Sequence, residues 1–309
     1  MYYYRVKLIL KILGISLLVV LLVFVARDEG LSLQSLKNLA SVFFFDSVTT
    51  EELQYRYQNN GAINILIVPG HDPVQSGAAY KGTKESDLTV HMGRVLEKKL
   101  KSNPQFVTTL ARSEDGFHPS LQYAFSNERD LILLYRTIKQ NIMRHLINAE
   151  VVTPYVGVEH NTAPTETAVK LYGINKWANE TKQDIVIHIH FNDYPGRPYN
   201  KVGKHSGFSI YIPESQYSNA KASKDFGIHL KKQLETKFSP SSLPLEQGGL
   251  IEDQELIAIG SNNSVDGISI LVEYGYIYEP QFQNETLRTQ TLESLAKLTY
   301  EAIEDYLSI

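Results

Sequence analysis

The sequence predicts an α/β fold: a single domain built on a mostly parallel twisted sheet with helices on both faces, preceded by an N-terminal transmembrane helix. Three observations predict it. Apolar β-branched runs of strand length alternate with amphipathic stretches of helix length from Ala62 onward, the order expected of a layered α/β structure. A chain of 309 residues, 43% hydrophobic and 21% charged, is long and apolar enough for one sizeable core. The first 26 residues carry an apolar run unlike anything after it.

That run extends from Ile12 to Ala26, behind Arg5, Lys7 and Lys11 and ahead of Arg27-Asp28-Glu29. Leu8 to Leu10 lengthen it to a membrane span if Lys11 snorkels. Phe24-Val25-Ala26 puts a bulky residue where a signal cleavage site needs a small one, which favours an uncleaved anchor in residues 1–28 over a cleaved signal segment. With the basic residues before the run, the positive-inside rule leaves the remaining chain outside the cytoplasm. Residues 29–60 read as a juxtamembrane linker with helical pieces, and 61–309 as the folded domain.

Within the domain, "INILIVPG" closes on Pro-Gly as a doubly buried strand should. "SDLTVHMGRVLEKKLKSN" follows with a stripe of Leu88, Met92, Val95, Leu96 and Leu100, and Ser86 or Asp87 is placed to cap it. "QFVTTLARS" reads as a strand, "ERDLILLYRTIKQNIMRHLINAE" as a long helix and "VVTPYVGVEHNTAPTE" as a loop. The helix "TAVKLYGINKWANETK" leads to the strand "DIVIHIHFND". The strand "GFSIYIP", the helix "KASKDFGIHLKKQLETKF", the buried strand "ISILVEYGYI" and the closing helix "TQTLESLAKLTYEAIEDYLSI" complete the domain.

The net charge of −4 gives no reason to expect nucleic acid as a partner. Cysteine is absent, so a transition metal has only His and carboxylates to hold it. Three predicted strands end in ionisable residues: His71, the pair His188 and His190, and Glu273. Parallel strands bring such ends to one sheet edge, where α/β ligand sites gather. Glu85, 14 positions after His71, can return there on the first turn of its helix. Two imidazoles and a carboxylate with a fourth position open to water form a catalytic zinc set, and Glu273 is left as proton carrier. Singly the residues have plainer readings: a loop histidine, a helix-start carboxylate suited to the macrodipole, a structural ion pair for Arg112.

As a set they resemble the zinc-dependent N-acetylmuramoyl-L-alanine amidases of the type 3 group. The resemblance rests on Val68-Pro69-Gly70-His71, Gly77 to Gly82, Glu85-Ser86-Asp87, Arg112, Ala178-Asn179, His188-Ile189-His190-Phe191-Asn192 and Val272-Glu273-Tyr274-Gly275-Tyr276, in family order over residues 63 to 278. It implies one Zn2+ per chain held by His71, Glu85 and His190. It implies Glu273 as the catalytic carboxylate and hydrolysis of the amide between N-acetylmuramic acid and L-alanine of peptidoglycan. His188, Arg112 and Asn192 become candidates for support of the ligands or contact with substrate. The chain departs from the family at Val68, where Asp is usual, at His188, where Ser is usual and either an alternative ligand or a group supporting one is expected, and at Tyr278-Glu279. Residues 116–165 are an insertion, expected to cover the site until an activator protein moves it. The competing readings are a zinc hydrolase of another amide or peptide bond, and an inactive membrane-anchored wall-binding or regulatory module.

Overall fold

The computed structural model describes residues 47–155 and 163–309. The anchor expected in 1–28, the linker up to residue 46 and the insertion's residues 156–162 lie outside the described residues. Among the described residues no helix is long and apolar enough to cross a membrane.

The compact unit starts at Ser47, so residues 47–60 of the expected linker belong to the folded body. Helix α1 (Thr50–Gln58) buries Leu53 completely, and its Arg56 donates to both oxygens of Asp184 at 2.8 and 2.9 Å. One buried leucine and one buried acceptor are enough to dock a short helix whose polar face reads as a linker.

Strand β1 (Ile63–Pro69) follows, then a hairpin of β2 (Ala79–Tyr80) and β3 (Thr83–Lys84), and helix α2 (Glu85–Leu100). Helix α2 starts at Glu85 with no side-chain cap, so Ser86 and Asp87 occupy its first turn rather than capping it. Strand β4 (Phe106–Leu110) leads to the hairpin β5 (Arg112–Ser113) and β6 (Gly116–Phe117). Within the expected insertion stand α3 (Pro119–Asn127) and α4 (Arg129–Asn148). The remaining elements are α5 (Thr165–Glu180), β7 (Ile185–Asn192), β8 (Ser209–Pro213), α6 (Ala220–Leu234), β9 (Leu250–Asp253), β10 (Ile268–Tyr276), α7 (Pro280–Gln283) and α8 (Glu285–Leu307).

The central sheet has strand order β4-β1-β7-β10-β8-β9. The first four strands are parallel; β8 runs antiparallel to β10, and β9 parallel to β8. Both faces are covered, and β1, β7 and β10 are accordingly buried at nearly every position. Beneath one face, Ile65, Ile67, Ile187, Ile189, Ile270 and Val272 meet Met92 and Leu96 of α2, Phe226 of α6 and Leu295 of α8. On the other, Leu66, Val68 and Val186 meet Ile174 and Ala178 of α5. Helices α3 and α4 pack outside α5, and α4 also contacts residues 261–263.

Candidate active site

The parallel register brings the predicted strand ends together. Strand β1 aligns Val68 with His188 and Pro69 with Ile189, and β10 aligns Glu273 with His190. His71 lies just past β1, turned back by a left-handed backbone at φ 60°. Gly70 N donates to Ile189 O at 2.8 Å, so the turn is tied to β7.

Glu85, on the first turn of α2 and 4% exposed, is the centre of the cluster. His71 Nε2 lies 3.1 Å from Glu85 Oε2, and His190 Nδ1 lies 2.9 Å from Oε1. The backbone N–H groups of Ala78 and Phe191 donate to the same two oxygens at 2.8 and 3.1 Å. Burial works against the charge of Glu85, but the hydrogen bonds from His190 and His71 outweigh it and hold the carboxyl well below the usual carboxylate range. Burial likewise disfavours a charged His71, yet the bond to Glu85 prevails and its pKa is raised.

The fit to a metal follows from donor type and spacing. One ligand atom from each of His71, Glu85 and His190 lies within 4.8 Å of the others, and two imidazoles with a carboxylate are hard-to-borderline donors suited to zinc. Glycines make the room. A Cβ on Gly70 would stand 2.3 Å from His190 Nε2, and one on Gly77 would stand 2.4 Å from Glu85 Oε2 and 2.5 Å from His71 Cδ2. Only residues without a side chain let the backbone pass this close to the three groups.

Glu273 sits beside His190 on the adjacent strand, with Oε2 buried and without a hydrogen-bond partner among the described residues. Burial, then the charges of Glu85 and Glu246, push its carboxyl well above the usual range. His188 is not in the three-residue cluster. It is 2% exposed, bonded to the Ala258 backbone, and pushed by burial down to about 3, so it is neutral. The His71 ring is also hydrogen-bonded to the backbone of Gln75.

Arg112 is buried, but its bonds run to oxygens that carry no charge rather than to a carboxylate as expected. Its Nη2 donates to Gly70 O at 3.1 Å, Ser86 O at 2.9 Å and Thr89 Oγ1 at 3.3 Å, bracing the loop that carries His71 against α2. Asn192 donates to Glu246 Oε1 at 2.7 Å, as does the Tyr211 hydroxyl at the same distance. Sequence reasoning missed Glu246 because "LPLEQGG" has the composition of a solvated loop. It is 3% exposed and also accepts from Tyr276 at 3.0 Å.

Residues 65–305 match the family model described as N-acetylmuramoyl-L-alanine amidase. A search of curated proteins returns no match. Among solved structures, the chain is similar to N-acetylmuramoyl-L-alanine amidase from Clostridium difficile 630, at 15% identity and TM-score 0.50, covering 80% of this chain and 97% of that one. It is similar to Ami1 from Mycobacterium smegmatis at 17% and 0.52, covering 80% and 97%. The Clostridioides difficile CwlD amidase, solved in complex with the GerS lipoprotein, is similar at 16% and 0.50, covering 80% and 98%. At these identities the likeness shows the fold.

Proposed function

The chain belongs to the N-acetylmuramoyl-L-alanine amidase family and is a peptidoglycan amidase, and from that premise we propose that it works through a zinc ion held by His71, Glu85 and His190, with Glu273 as catalytic carboxylate. The observation that carries the proposal is the mutual approach of those three ligands at the edge where Glu273 is paired with His190.

Zinc bound there supplies a Lewis acid for the scissile carbonyl and acidifies a water. The protein's own share is positioning and proton transfer. Both histidines are fixed through Glu85, and Arg112 and Gly70 lock the loop to α2 and β7. Glu273 takes the proton of the attacking water and passes it to the departing L-alanine nitrogen. Its partly desolvated carboxylate, set against Glu85 and Glu246, has the raised proton affinity that this role rewards.

The apolar run 12–26 behind three basic residues supports a membrane anchor and a catalytic domain outside the cytoplasm, on the side where peptidoglycan lies. The insertion 116–165 is proposed as the surface an activator protein moves. Phe117 from this segment lines the cavity beside His71, and this supports the reading. Unchanged activity after deletion of the segment removes it.

The test is digestion of purified peptidoglycan by the full chain with zinc, read by mass spectrometry beside Glu273→Gln. Intact stem peptides bearing a free L-alanine amine are expected from the native chain and not from the variant. Cleavage at any other bond, or equal product from both, overturns the mechanism.

A further inference from the structure

A second groove, of about 590 Å³, has none of the proposed metal ligands in its lining. Four elements bring permanently charged basic side chains to it: Lys84 from β3, Arg94 from α2, Arg112 from β5 and Arg288 from α8. Two carboxylates share the lining, Asp87 and Glu114. Glu114 is matched by Arg94 at 2.9 Å, whereas Asp87 accepts from the Ser86 hydroxyl at 3.2 Å and lies in no ion pair among the described residues. The cations outnumber the carboxylates, which leaves an excess of two positive charges.

The basic groups also keep donors in reserve. Arg112 is 3% exposed and makes its three bonds through Nη2, while Nη1 has no partner among the described residues. Asp72 acts on Arg112 as well, but it is paired with Lys170, and its other oxygen accepts from Val74 N and Gln75 N at 2.8 and 2.9 Å. Arg288 donates from Nε to Phe282 O at 2.7 Å and leaves both terminal nitrogens free among the described residues. Lys84 is exposed and in no ion pair among them. Charged donors gathered in a recess without acceptors are unfavourable, and most so at the buried Arg112.

We propose that this groove binds a phosphate group between the guanidinium groups of Arg112 and Arg288, with Lys84 completing the set. The donors come from three separate elements, so the ligand must accept from several directions. A carboxylate accepts in one plane, whereas a phosphate offers three strong acceptor oxygens and suits the arginine fork. A volume of 590 Å³ is many times the roughly 30 Å³ of a water in the liquid, so a phosphate ester fits as well as the free ion. The site does not depend on the amidase chemistry. Its link to the metal ligands is Arg112, whose guanidinium also holds Gly70 O and Ser86 O, each next in sequence to a proposed ligand.

Isothermal titration calorimetry on the zinc-loaded full chain in an uncharged detergent, at fixed ionic strength, compares inorganic phosphate, glycerol 3-phosphate, glycerophosphoglycerol and malonate. The best of the phosphates is expected to bind at least about tenfold more tightly than malonate, and to weaken as salt is raised. Lys84→Gln/Arg288→Gln should lower phosphate affinity by at least about tenfold, because two charged donors are lost. Lys84→Glu, at an exposed position, serves if the double variant does not fold. Phosphate held on the zinc instead would survive these changes, so undiminished binding overturns the proposal, as does equal affinity for malonate. Tightest binding by an ester identifies a phosphate borne on a larger molecule and tightest binding by inorganic phosphate the free ion, and each supports the site.

Discussion

Gly70→Ala tests the proposed metal site without touching a proposed ligand. The added Cβ would lie 2.3 Å from His190 Nε2, 2.4 Å from Cε1 and 2.8 Å from Cδ2. Ordinary contact needs roughly 3.5 Å, so the ring or the backbone must retreat by roughly 1 Å. The backbone is the less free of the two. Gly70 N donates to Ile189 O at 2.8 Å, and Gly70 O accepts from Thr89 Oγ1 at 2.9 Å and Arg112 Nη2 at 3.1 Å. The His190 ring therefore turns, and its 2.9 Å bond to Glu85 Oε1 is lost. Loss of a hydrogen bond to a buried charge costs about 1.5–3 kcal/mol. Zinc affinity should fall by about 100-fold or more, since disturbing even a ligand's outer support costs 10–100-fold. Gly82→Ala is the control, because Gly82 has φ 87° but nothing within 4 Å of its would-be Cβ. It should cost about 1 kcal/mol of backbone strain and leave affinity alone. Competition against a chromogenic chelator reads the affinity, and denaturant unfolding reads the stability. Native zinc affinity in folded Gly70→Ala would show that His190 is not a ligand.

Other expectations follow from the same geometry. Glu273→Gln should keep full zinc occupancy while hydrolysis drops by about 10²–10⁴-fold, the range for a lost general base; retained turnover in the mass-spectrometric digest would assign proton transfer elsewhere. Arg112→Met should lower stability by about 2–4 kcal/mol in urea, because its Nη2 braces Gly70, Ser86 and Thr89. Unchanged stability with a raised KM would instead put Arg112 on the substrate. Asp266, pushed by burial from 3.8 up to about 6 against the pull of Lys139, holds its proton more tightly folded than unfolded. Its contribution is fully present below pH 3.8 and lost as pH rises through about 6. Asp266→Asn should then gain up to about 3 kcal/mol over the native chain at pH 7 and nothing at pH 3.5, by denaturant titration at each pH. An equal gain at both values would mean that ionisation of Asp266 is not its source.

The layered fold was legible because doubly buried parallel strands leave an unmistakable run of β-branched residues, as in "INILIVPG" and "ISILVEYGYI". Strand ends carrying His71, His190 and Glu273 were legible for the same reason, since a charged or polar group closing such a run stands out. Strand β9 was not, because "LIED" is short and every residue is half-buried at the sheet's edge. The docking of α1 was hidden in a polar segment whose anchor is a single leucine. The bracing role of Arg112 was obscured for a different reason: its partners are two backbone carbonyls and a hydroxyl, and a carbonyl leaves no trace in residue type. Glu246 needed the fold outright, as its three donors come from Asn192, Tyr211 and Tyr276 on three separate strands.

The two glutamates of the site show how surroundings divide roles that residue type leaves equal. Glu85 has both oxygens engaged, by two histidine rings and two backbone N–H groups. Each of those contacts favours the ionised form, so together they prevail over burial and the group is a permanent anion. Glu273, on the strand next to His190, has one oxygen buried without a donor and meets the like charges of Glu85 and Glu246. It gains nothing from ionising until a positive charge arrives. The parts proposed for them differ in the same sense: a metal ligand must stay deprotonated, and a proton carrier must be able to take a proton up. Exchanging their identities with Asp at either place would alter reach, but only a change in the donors around them would exchange their parts. Asn192, Tyr211 and Tyr276 matter here through Glu246: their three hydrogen bonds fix the position of a second carboxylate, whose charge raises the proton affinity of Glu273.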